Sequence, residues 1–300
     1  FTALSMAILA SSYFLSKVKP IGFFQFLTSA GISLLFVVYS FTLKLIVDKL
    51  KNLKPKDVLK AGLMLIGASS FAQEAVKDNS FLIEEAYNQE AGVVQFIQTY
   101  QYMDPVHEWG YSFTNEIPLG DETHQFSYVI PVMKTHDAAG DDQTQVGDVL
   151  LNYRYQLLNT ELIAMAPRLS LIVPTGDYKK GSGNGVVGAQ FNQSVSLTIN
   201  ERWTNHWNAG FTFTPDAKND AGQTASIFGY NFGTSVVYNV TPKTNLLCEF
   251  VMNSNEVVVG QDQKGSETTY YVVPGIRSAF QVTKDTEVVP GIGALLGLGP

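Results

Sequence analysis

From residue 90 onward, apolar and polar side chains alternate along the chain with a period of two. Successive side chains of a β-strand point to opposite faces, so this alternation predicts strands with one apolar and one polar face. Most of the alternating segments are 8–15 residues long, which suits strands that cross a membrane (about 9–11 residues) better than strands of soluble domains (about 5–6 residues). The eleven segments are 94–102, 108–114, 125–132, 148–156, 165–171, 191–199, 202–213, 228–239, 245–253, 269–282 and 286–298.

The connections between these segments alternate between short and long. Short turns are predicted at 119–121, 158–160, 200–201, 241–243 and 283–285, and long polar loops at 134–145, 174–185, 215–223 and 253–267. The first connection, 104–105, is short where a long one is expected. Alternating short and long connections are typical of up-and-down barrels in bacterial outer membranes, where the short turns face the periplasm.

The residue types on the two predicted faces favour a barrel over a soluble sandwich. The apolar face carries Trp and Tyr near strand ends, which suits a membrane–water interface; these residues are Tyr100, Tyr102, Trp109, Trp203 and Tyr238. The other face is rich in Asn, Gln, Ser and Thr, as a wet lumen requires. A soluble antiparallel barrel or sandwich in the periplasm is the alternative, and it would bury the apolar face.

The sequence therefore predicts an all-β protein: an antiparallel up-and-down transmembrane β-barrel, over residues 91–300, in the outer membrane of a Gram-negative bacterium. Bacterial barrels usually have an even number of strands, so we expect about twelve. The chain stops at Pro300 inside an apolar segment, and we expect the last strand to be truncated there.

The first 72 residues predict targeting segments rather than barrel. Ile21–Leu43 contains no charge over 23 residues, long enough for a hydrophobic membrane helix outside the barrel. Residues 53–72 combine a basic start, a short apolar core and Ser70-Phe71-Ala72, the pattern of a secretory signal peptide cleaved after Ala72. Three interpretations of 1–52 stay open: a start placed too far upstream, an inner-membrane anchor, or a buried hairpin.

Residues 73–90 lie between the predicted signal peptide and the first predicted strand. They include Glu84, Glu85, Tyr87, Asn88 and Glu90. We expect a periplasmic linker, a short helix, or a plug segment in the lumen.

Charge separates the targeting region from the rest and excludes one class of partner. Residues 1–72 hold eight Lys and two Asp, a net charge of +6, so the remaining 12 basic and 25 acidic residues give 73–300 a net charge of −13. An acidic surface repels phosphate backbones, which excludes nucleic acid.

We expect as partners the outer-membrane bilayer, a small-molecule solute, and the export and barrel-assembly machinery; the pattern specifies no oligomeric state. The acidic excess also predicts a mild cation preference for an open pore.

Charged residues on the polar face are the candidate functional residues. They are Glu108, Glu116, Asp148, Arg154, Arg168, Arg202, Glu249 and Arg277. A hairpin with its turn near Asn159 would place Asp148 opposite Arg168. Charges inside a barrel either set ion selectivity or lock a filled lumen through ion pairs, and the sequence leaves both open.

No motif in the chain indicates catalysis, nucleotide binding or metal binding. Gly183–Gly188 matches GxGxxG, but a strand follows the glycines where a dinucleotide site needs a helix. His136, Asp137, Asp141 and Asp142 share one loop without the spacing of an EF-hand. Four His and many Ser invite a hydrolase, but GxSxG is absent, and the single cysteine, Cys248, excludes a disulfide framework. We therefore expect no catalytic residue, no cofactor and no metal.

Three segments resemble one family, the outer-membrane barrels grouped as phenol-degradation (MetA-pathway) proteins or transporters. The segments are Phe81–Gln95 (FLIEEAYNQEAGVVQ), Gly147–Leu157 (GDVLLNYRYQL) and Pro167–Gln193 (PRLSLIVPTGDYKKGSGNGVVGAQFNQ). The resemblance implies a porin-like barrel that passes small molecules, aromatic or hydrophobic compounds among them, across the outer membrane. The alternatives are a closed structural or adhesive barrel and an outer-membrane lipid hydrolase.

Overall fold

The computed structural model describes residues 6–17, 80–104, 107–136 and 142–298, with the backbone alone for 6–17, 135 and 136. Within these ranges the protein is almost entirely strand, with a single short 3-10 helix at Tyr178–Lys180. Each of the eleven alternating segments forms a strand, so the all-β prediction is confirmed. No helix in this part of the chain is long and apolar enough to span a membrane. The predictions for Ile21–Leu43 and for 53–72 fall outside the described residues.

The strands form one antiparallel sheet. Their bounds are β1 Met6–Lys17, β2 Val93–Met103, β3 Glu108–Pro118, β4 His124–His136, β5 Asp142–Val146, β6 Val149–Tyr155, β7 Leu158–Asn159, β8 Ile163–Val173, β9 Gly188–Thr198, β10 Trp203–Lys218, β11 Thr224–Thr241, β12 Thr244–Gly260, β13 Gln263–Ser278, β14 Phe280–Thr283 and β15 Thr286–Gly297.

Twelve of these strands close into a ring. The neighbour order is β1-β2-β3-β4-β6-β8-β9-β10-β11-β12-β13-β15, and β15 pairs in turn with β1, for example at Ala10↔Ile292. Three short strands are not members of this ring: β5 pairs with β4, β7 with β8 and β14 with β15. A closed sheet leaves no unpaired edge, which is the condition for spanning a membrane with strands. The barrel of about twelve strands is thus confirmed, with β1 as the twelfth strand beside β15.

One predicted loop is instead a hairpin. Residues 253–267 read as a long polar loop, but β12 continues to Gly260 and pairs with β13 along its whole length, with Asp262 at φ +56° in the turn. Hydrogen bonding between strands does not depend on apolar side chains, so a polar segment continues the ladder beyond the apolar band. By contrast, the loop 174–187 carries only the 3-10 turn.

The two faces of the sheet have opposite character. On the outward face of β10 and β11, Phe211 and Tyr230 are 45% and 50% exposed, whereas inward-facing His206, Asn208 and Ser235 are at most 4% exposed. Soluble proteins bury apolar side chains and expose polar ones. This barrel does the reverse, which excludes a soluble sandwich and gives the outward face the character of a lipid-facing surface.

Candidate functional site

The chain from Ser80 to Glu90 lies inside the ring, and we call it the lumen segment. At one end the Oγ atoms of Ser80 and Ser235 on β11 are 2.9 Å apart, and near the other the backbone N–H of Gln89 donates to Gln125 on β4 at 2.7 Å. The segment forms bends and contains no helix. It leads through Gly92, at φ +78°, into β2.

Side chains of the wall accept the hydrogen bonds that the backbone of the lumen segment offers. The carboxylate of Glu249 on β12 accepts three consecutive N–H groups, from Phe81 at 2.9 Å, Leu82 at 3.0 Å and Ile83 at 3.2 Å. A buried backbone without a strand partner needs such acceptors. Further acceptors of segment N–H groups are Asn208 for Glu84, Ser196 for Ala86 and Gln156 for Asn88, each at 2.8 Å.

Arg154 on β6 binds the carbonyl side of the same segment. Its Nη2 donates to the carbonyl oxygen of Tyr87 at 2.6 Å and its Nε to Asn88 Oδ1 at 2.7 Å. Its Nη1 reaches the carbonyl oxygen of Glu85 at 3.3 Å, and Glu116 lies 3.9 Å away. Glu249 and Arg154 therefore hold the segment by its N–H groups and by its carbonyl groups, from different parts of the wall.

Glu84 and Arg168 form the central ion pair of the lumen. Arg168 Nη2 lies 2.7 Å from Glu84 Oε1, Nε donates to Oε2 at 3.1 Å, and Asn192 Nδ2 donates to Oε2 at 3.2 Å. Burial alone raises the pKa of Glu84, which belongs to the lumen segment and not to a spanning strand. The positive charges of Arg168 and Arg154 outweigh burial and leave its pKa below the usual range. Glu84 is therefore an ionised carboxylate at neutral pH.

Glu85 joins a second, deeply buried cluster. Its Oε1 lies 3.2 Å from Arg277 Nη2 and 3.7 Å from His206 Nε2, and His206 Nδ1 lies 2.8 Å from Ser196 Oγ. The order Ser, His, acid is that of a hydrolase triad. All three groups are at most 2% exposed, and Ser196 Oγ accepts the N–H of Ala86. This geometry anchors the lumen segment and offers a substrate no access.

Phe81 anchors the start of the lumen segment in an apolar patch of the wall. It packs with Val237, Leu247, Val273 and Leu295. Its ring also lies against three glycines of β13 and β15, which are Gly275, Gly291 and Gly293.

Two cavities flank the lumen segment and share Leu82, Glu84 and Arg168. The first, about 260 Å³, mixes apolar and polar side chains; besides the shared residues and Ser80, Phe81 and Ile83 it is lined by Ile97, Thr99, Thr114, Glu116, Gln125, Ser127, Val129, Leu150, Asn152 and Arg154. The second, about 300 Å³, is mainly amide-lined, by Gln190, Asn192, Asn208, Asn231, Asn253 and Asn255, together with Thr212. The lumen is thus partly filled and partly hollow.

The eight predicted lumen charges do not all line the lumen. Five line the lumen: Glu116, Arg154, Arg168, Glu249 and Arg277. Glu108 is partly buried at the start of β3, and Asp148 accepts the loop N–H groups of Gly176 and Asn184 at 2.9 Å each.

Arg202 and the β6–β8 register differ from expectation. Arg202 is exposed in the β9–β10 turn and donates to the hydroxyl of Tyr238 at 3.2 Å, because the turn directs it along the outer surface. The residue opposite Arg168 is Arg154 and not Asp148, because β6 begins at Val149 and pairs there with Val173.

The predicted interface aromatics form two groups at opposite ends of the barrel. Trp203 and Tyr238, with ring centroids 4.7 Å apart, lie at the end that carries the short turns. Tyr100 and Trp109 stack at 6.0 Å at the end that carries the long loops, where Tyr102 Oη lies 2.7 Å from His107 Nδ1.

The neutral side chains that hold the lumen segment carry no signal of that role in the sequence. The alternation predicts that Ser196, Asn192 and Asn208 lie on the polar face, and nothing more. The alternation indicates which face such a residue occupies, but nothing local distinguishes an amide that binds the segment from one that faces water. For metals, the described side chains contain no group of three His, Cys, Asp or Glu able to hold an ion, and Asp137 and Asp141 fall outside them.

Comparison with known proteins gives a family. The family model described as "Putative MetA-pathway of phenol degradation" matches residues 77–294, which is more than half of the chain, and confirms the resemblance of the three segments. No curated protein matches.

Two solved structures share a distant likeness. The COG4313 outer membrane channel from Pseudomonas putida F1 has 10% identity and a TM-score of 0.45 over 99% of this chain and 97% of that one. The NanC porin has 10% identity and a TM-score of 0.40 over 66% and 97%. At these TM-scores neither likeness bears on the fold, which follows from the strand pairing.

Proposed function

We propose, since the chain belongs to the family described by the MetA pathway of phenol degradation, that it is a porin-like transporter of the Gram-negative outer membrane. It passes small molecules passively, aromatic and hydrophobic compounds among them, and it catalyses no reaction and needs no cofactor. The export and barrel-assembly machinery inserts it into the bilayer. The family description supplies the phenolic class of solute, and the solutes of this chain are part of the proposal.

The observation that carries the proposal is the pair of cavities beside the lumen segment. A lumen built only for stability would be filled by side chains, but here about 260 Å³ and about 300 Å³ stay open. The first cavity joins Ile97, Val129 and Leu150 to polar groups such as Gln125 and Asn152. A phenol has the same two characters, an apolar ring and one hydroxyl, so this lining suits it.

Planar-bilayer recording and solute uptake into liposomes test the proposal on the purified full-length chain. We expect defined current steps, and uptake of phenol that exceeds uptake by liposomes reconstituted with heat-unfolded protein. Phenol crosses bare lipid, so its charged analogue 4-hydroxybenzenesulfonate serves as the low-leak probe in parallel. If the protein gives no current steps and no uptake above the control liposomes, a transport function is contradicted.

The second candidate is a closed structural or adhesive barrel. The network of hydrogen bonds from Glu249 and Arg154 to the lumen segment favours it, because a segment held at both ends obstructs the lumen. A barrel that inserts into bilayers, resists heat unfolding and passes no current would support this second function.

A further inference from the structure

We infer that Arg168 and Asn192 form a carboxylate-binding site in the lumen, which Glu84 occupies as a built-in ligand and which a small carboxylate solute takes when Glu84 withdraws. The inference deepens the proposed function by naming a solute class, and it rests on that function because the solute must enter the lumen.

Glu84 is bound in the way that a carboxylate ligand is bound. Arg168 grips both of its oxygens, with Nη2 on Oε1 at 2.7 Å and Nε on Oε2 at 3.1 Å. Asn192 adds a donor to Oε2 at 3.2 Å. A planar guanidinium fork matches a carboxylate in both geometry and charge. A neutral phenol offers only one oxygen and no charge, so it cannot make this set of contacts.

The wall holds Arg168 in place without the lumen segment. Arg168 Nη1 donates to Asn152 Oδ1 at 2.9 Å and also to Ser170 Oγ, and Nη2 donates to Gln190 Oε1 at 3.0 Å. These acceptors belong to β6, β8 and β9. The guanidinium therefore stays oriented when Glu84 leaves, and a preorganised site loses little entropy on binding a ligand.

Charge on the wall makes the vacated site attractive to an anion. Arg154 lies directly opposite Arg168 in the β6–β8 register. Like charges opposite each other on one face of a sheet are unfavourable unless anions compensate. Glu116 lies 3.9 Å from Arg154, and Glu84 supplies the carboxylate at Arg168. Without Glu84, Arg168 attracts another carboxylate.

The site is accessible from both cavities. The Glu84 side chain is 29% exposed, and both Glu84 and Arg168 line each cavity. A solute carboxylate therefore competes with Glu84 for the same guanidinium. While Glu84 occupies the site, a solute carboxylate can bind only to the fraction of molecules whose site is free, and its apparent affinity is reduced by that fraction. Removing the Glu84 charge should therefore raise the affinity for the solute.

Benzoate and its neutral isostere benzamide are the probes, titrated calorimetrically into the detergent-purified full-length chain. We expect E84Q to bind benzoate about tenfold more tightly than the wild type, the size of one charge-assisted hydrogen bond. Benzamide should bind both proteins equally. Adding R168Q to E84Q should abolish the gain, and R168K should recover part of it, because lysine keeps the charge but lacks the fork.

The matched control is E256Q, which neutralises a glutamate that also pairs with a cation, Lys264 at 2.7 Å, but outside the lumen cavities. We expect it to bind benzoate as the wild type does.

Equal benzoate affinity in E84Q and the wild type, or a gain that survives R168Q, would overturn the inference. If E84Q does not fold, R168K alone decides: weaker benzoate binding than the wild type supports the site, and unchanged binding overturns it. Calorimetry needs no conduction, so a barrel that binds benzoate without passing current would contradict the channel and leave the site standing.

Discussion

The side chain of Phe81 packs the start of the lumen segment against the wall. A Cβ added to Gly291 or Gly293 would come within 2.9 Å of its ring, and one added to Gly275 would overlap it. Three glycines on neighbouring strands thus form a flat seat for one aromatic ring. Larger side chains at these positions would occupy the space that Phe81 fills.

We expect the substitution G275V to displace Phe81 and loosen the start of the lumen segment. Forcing a side chain into an occupied site costs about 1–3 kcal/mol. Hydrogen exchange of the N–H groups of residues 81–83 should therefore accelerate by about tenfold or more, since about 1.4 kcal/mol corresponds to a factor of ten. Mass spectrometry of peptic fragments measures this exchange.

The control for this prediction is G110V, another inward-facing strand position, where nothing lies within 4 Å of an added Cβ. We expect its exchange in the lumen segment to match the wild type. If both variants accelerate exchange equally, the ring of Phe81 is not what anchors the segment.

Alternation predicts the face of a residue but not its partner. The pattern predicts that Glu249 faces inward, but not that it accepts the N–H of Phe81, 168 residues earlier in the chain. The same rule predicts an inward Arg202, which lies outside because it belongs to a turn where the period of two no longer holds. Contacts of this kind depend on ring closure, which no local pattern contains.

The lumen segment, as an element, is held by side chains rather than by a ladder of backbone bonds. Each wall contact acts singly, whereas neighbouring bonds in a ladder reinforce one another, so the segment should open more easily than the wall does. Of the alternatives predicted for 73–90, the plug segment fits this position inside the ring, and for the whole of 73–90 it stays a prediction.

A disulfide between the lumen segment and the wall tests whether the segment moves during transport. The Oγ atoms of Ser80 and Ser235 are 2.9 Å apart, so S80C with S235C, made in a C248S background, places two thiols in contact. We expect oxidation to lower solute uptake into liposomes severalfold, because the segment can no longer withdraw, and reduction to restore it.

The same cross-link within the wall is the control. Ser254 Oγ on β12 and Thr268 Oγ1 on β13 are 2.8 Å apart, and S254C with T268C joins two strands that are already paired. Oxidation of this pair should leave uptake unchanged. Equal uptake by the oxidised and reduced S80C/S235C protein would show that solutes pass without movement of the segment.

Among the strands, predictions were most accurate where lipid imposes the pattern. Phe211, Phe228 and Tyr230 alternate with polar residues because one face meets hydrocarbon. Beyond the apolar band this constraint disappears, and the polar residues of 253–267 gave no sign that β12 and β13 continue to pair there.

The three tryptophans of the barrel should lie at different depths in the bilayer. Trp109 and Trp203 lie near opposite ends of the wall. Trp207 is outward-facing on β10 and packs with Phe232 at 5.7 Å. It lies four residues beyond Trp203, about 13 Å along the strand at about 3.3 Å per residue.

We expect depth-dependent quenching in brominated lipids to separate these tryptophans. In variants that keep one Trp and replace the other two with Phe, bromine at mid-chain should quench Trp207 most strongly. Bromine near the headgroups should quench Trp109 and Trp203 most strongly. Equal quenching of all three at every depth would contradict a barrel that spans the bilayer.

Two properties of the whole chain follow only in part from its sequence. The net charge of −13 for 73–300 predicts a cation preference, but Arg154, Arg168 and Arg277 in the lumen face the carboxylates of Glu84, Glu85, Glu116 and Glu249, so the cation preference stays a prediction that the reversal potential tests. The ring also uses β1, which precedes the predicted cleavage site after Ala72. Cleavage there and a wall containing β1 exclude each other in one mature chain, and the signal peptide stays a prediction.

The unbroken wall around the lumen segment gives any withdrawal of that segment a direction. Paired strands on every side prevent a sideways exit, and Gly92 fastens the segment to β2 beside the short turns. The segment can therefore leave the lumen only along the barrel axis, while its junction with β2 stays at the rim that carries the short turns.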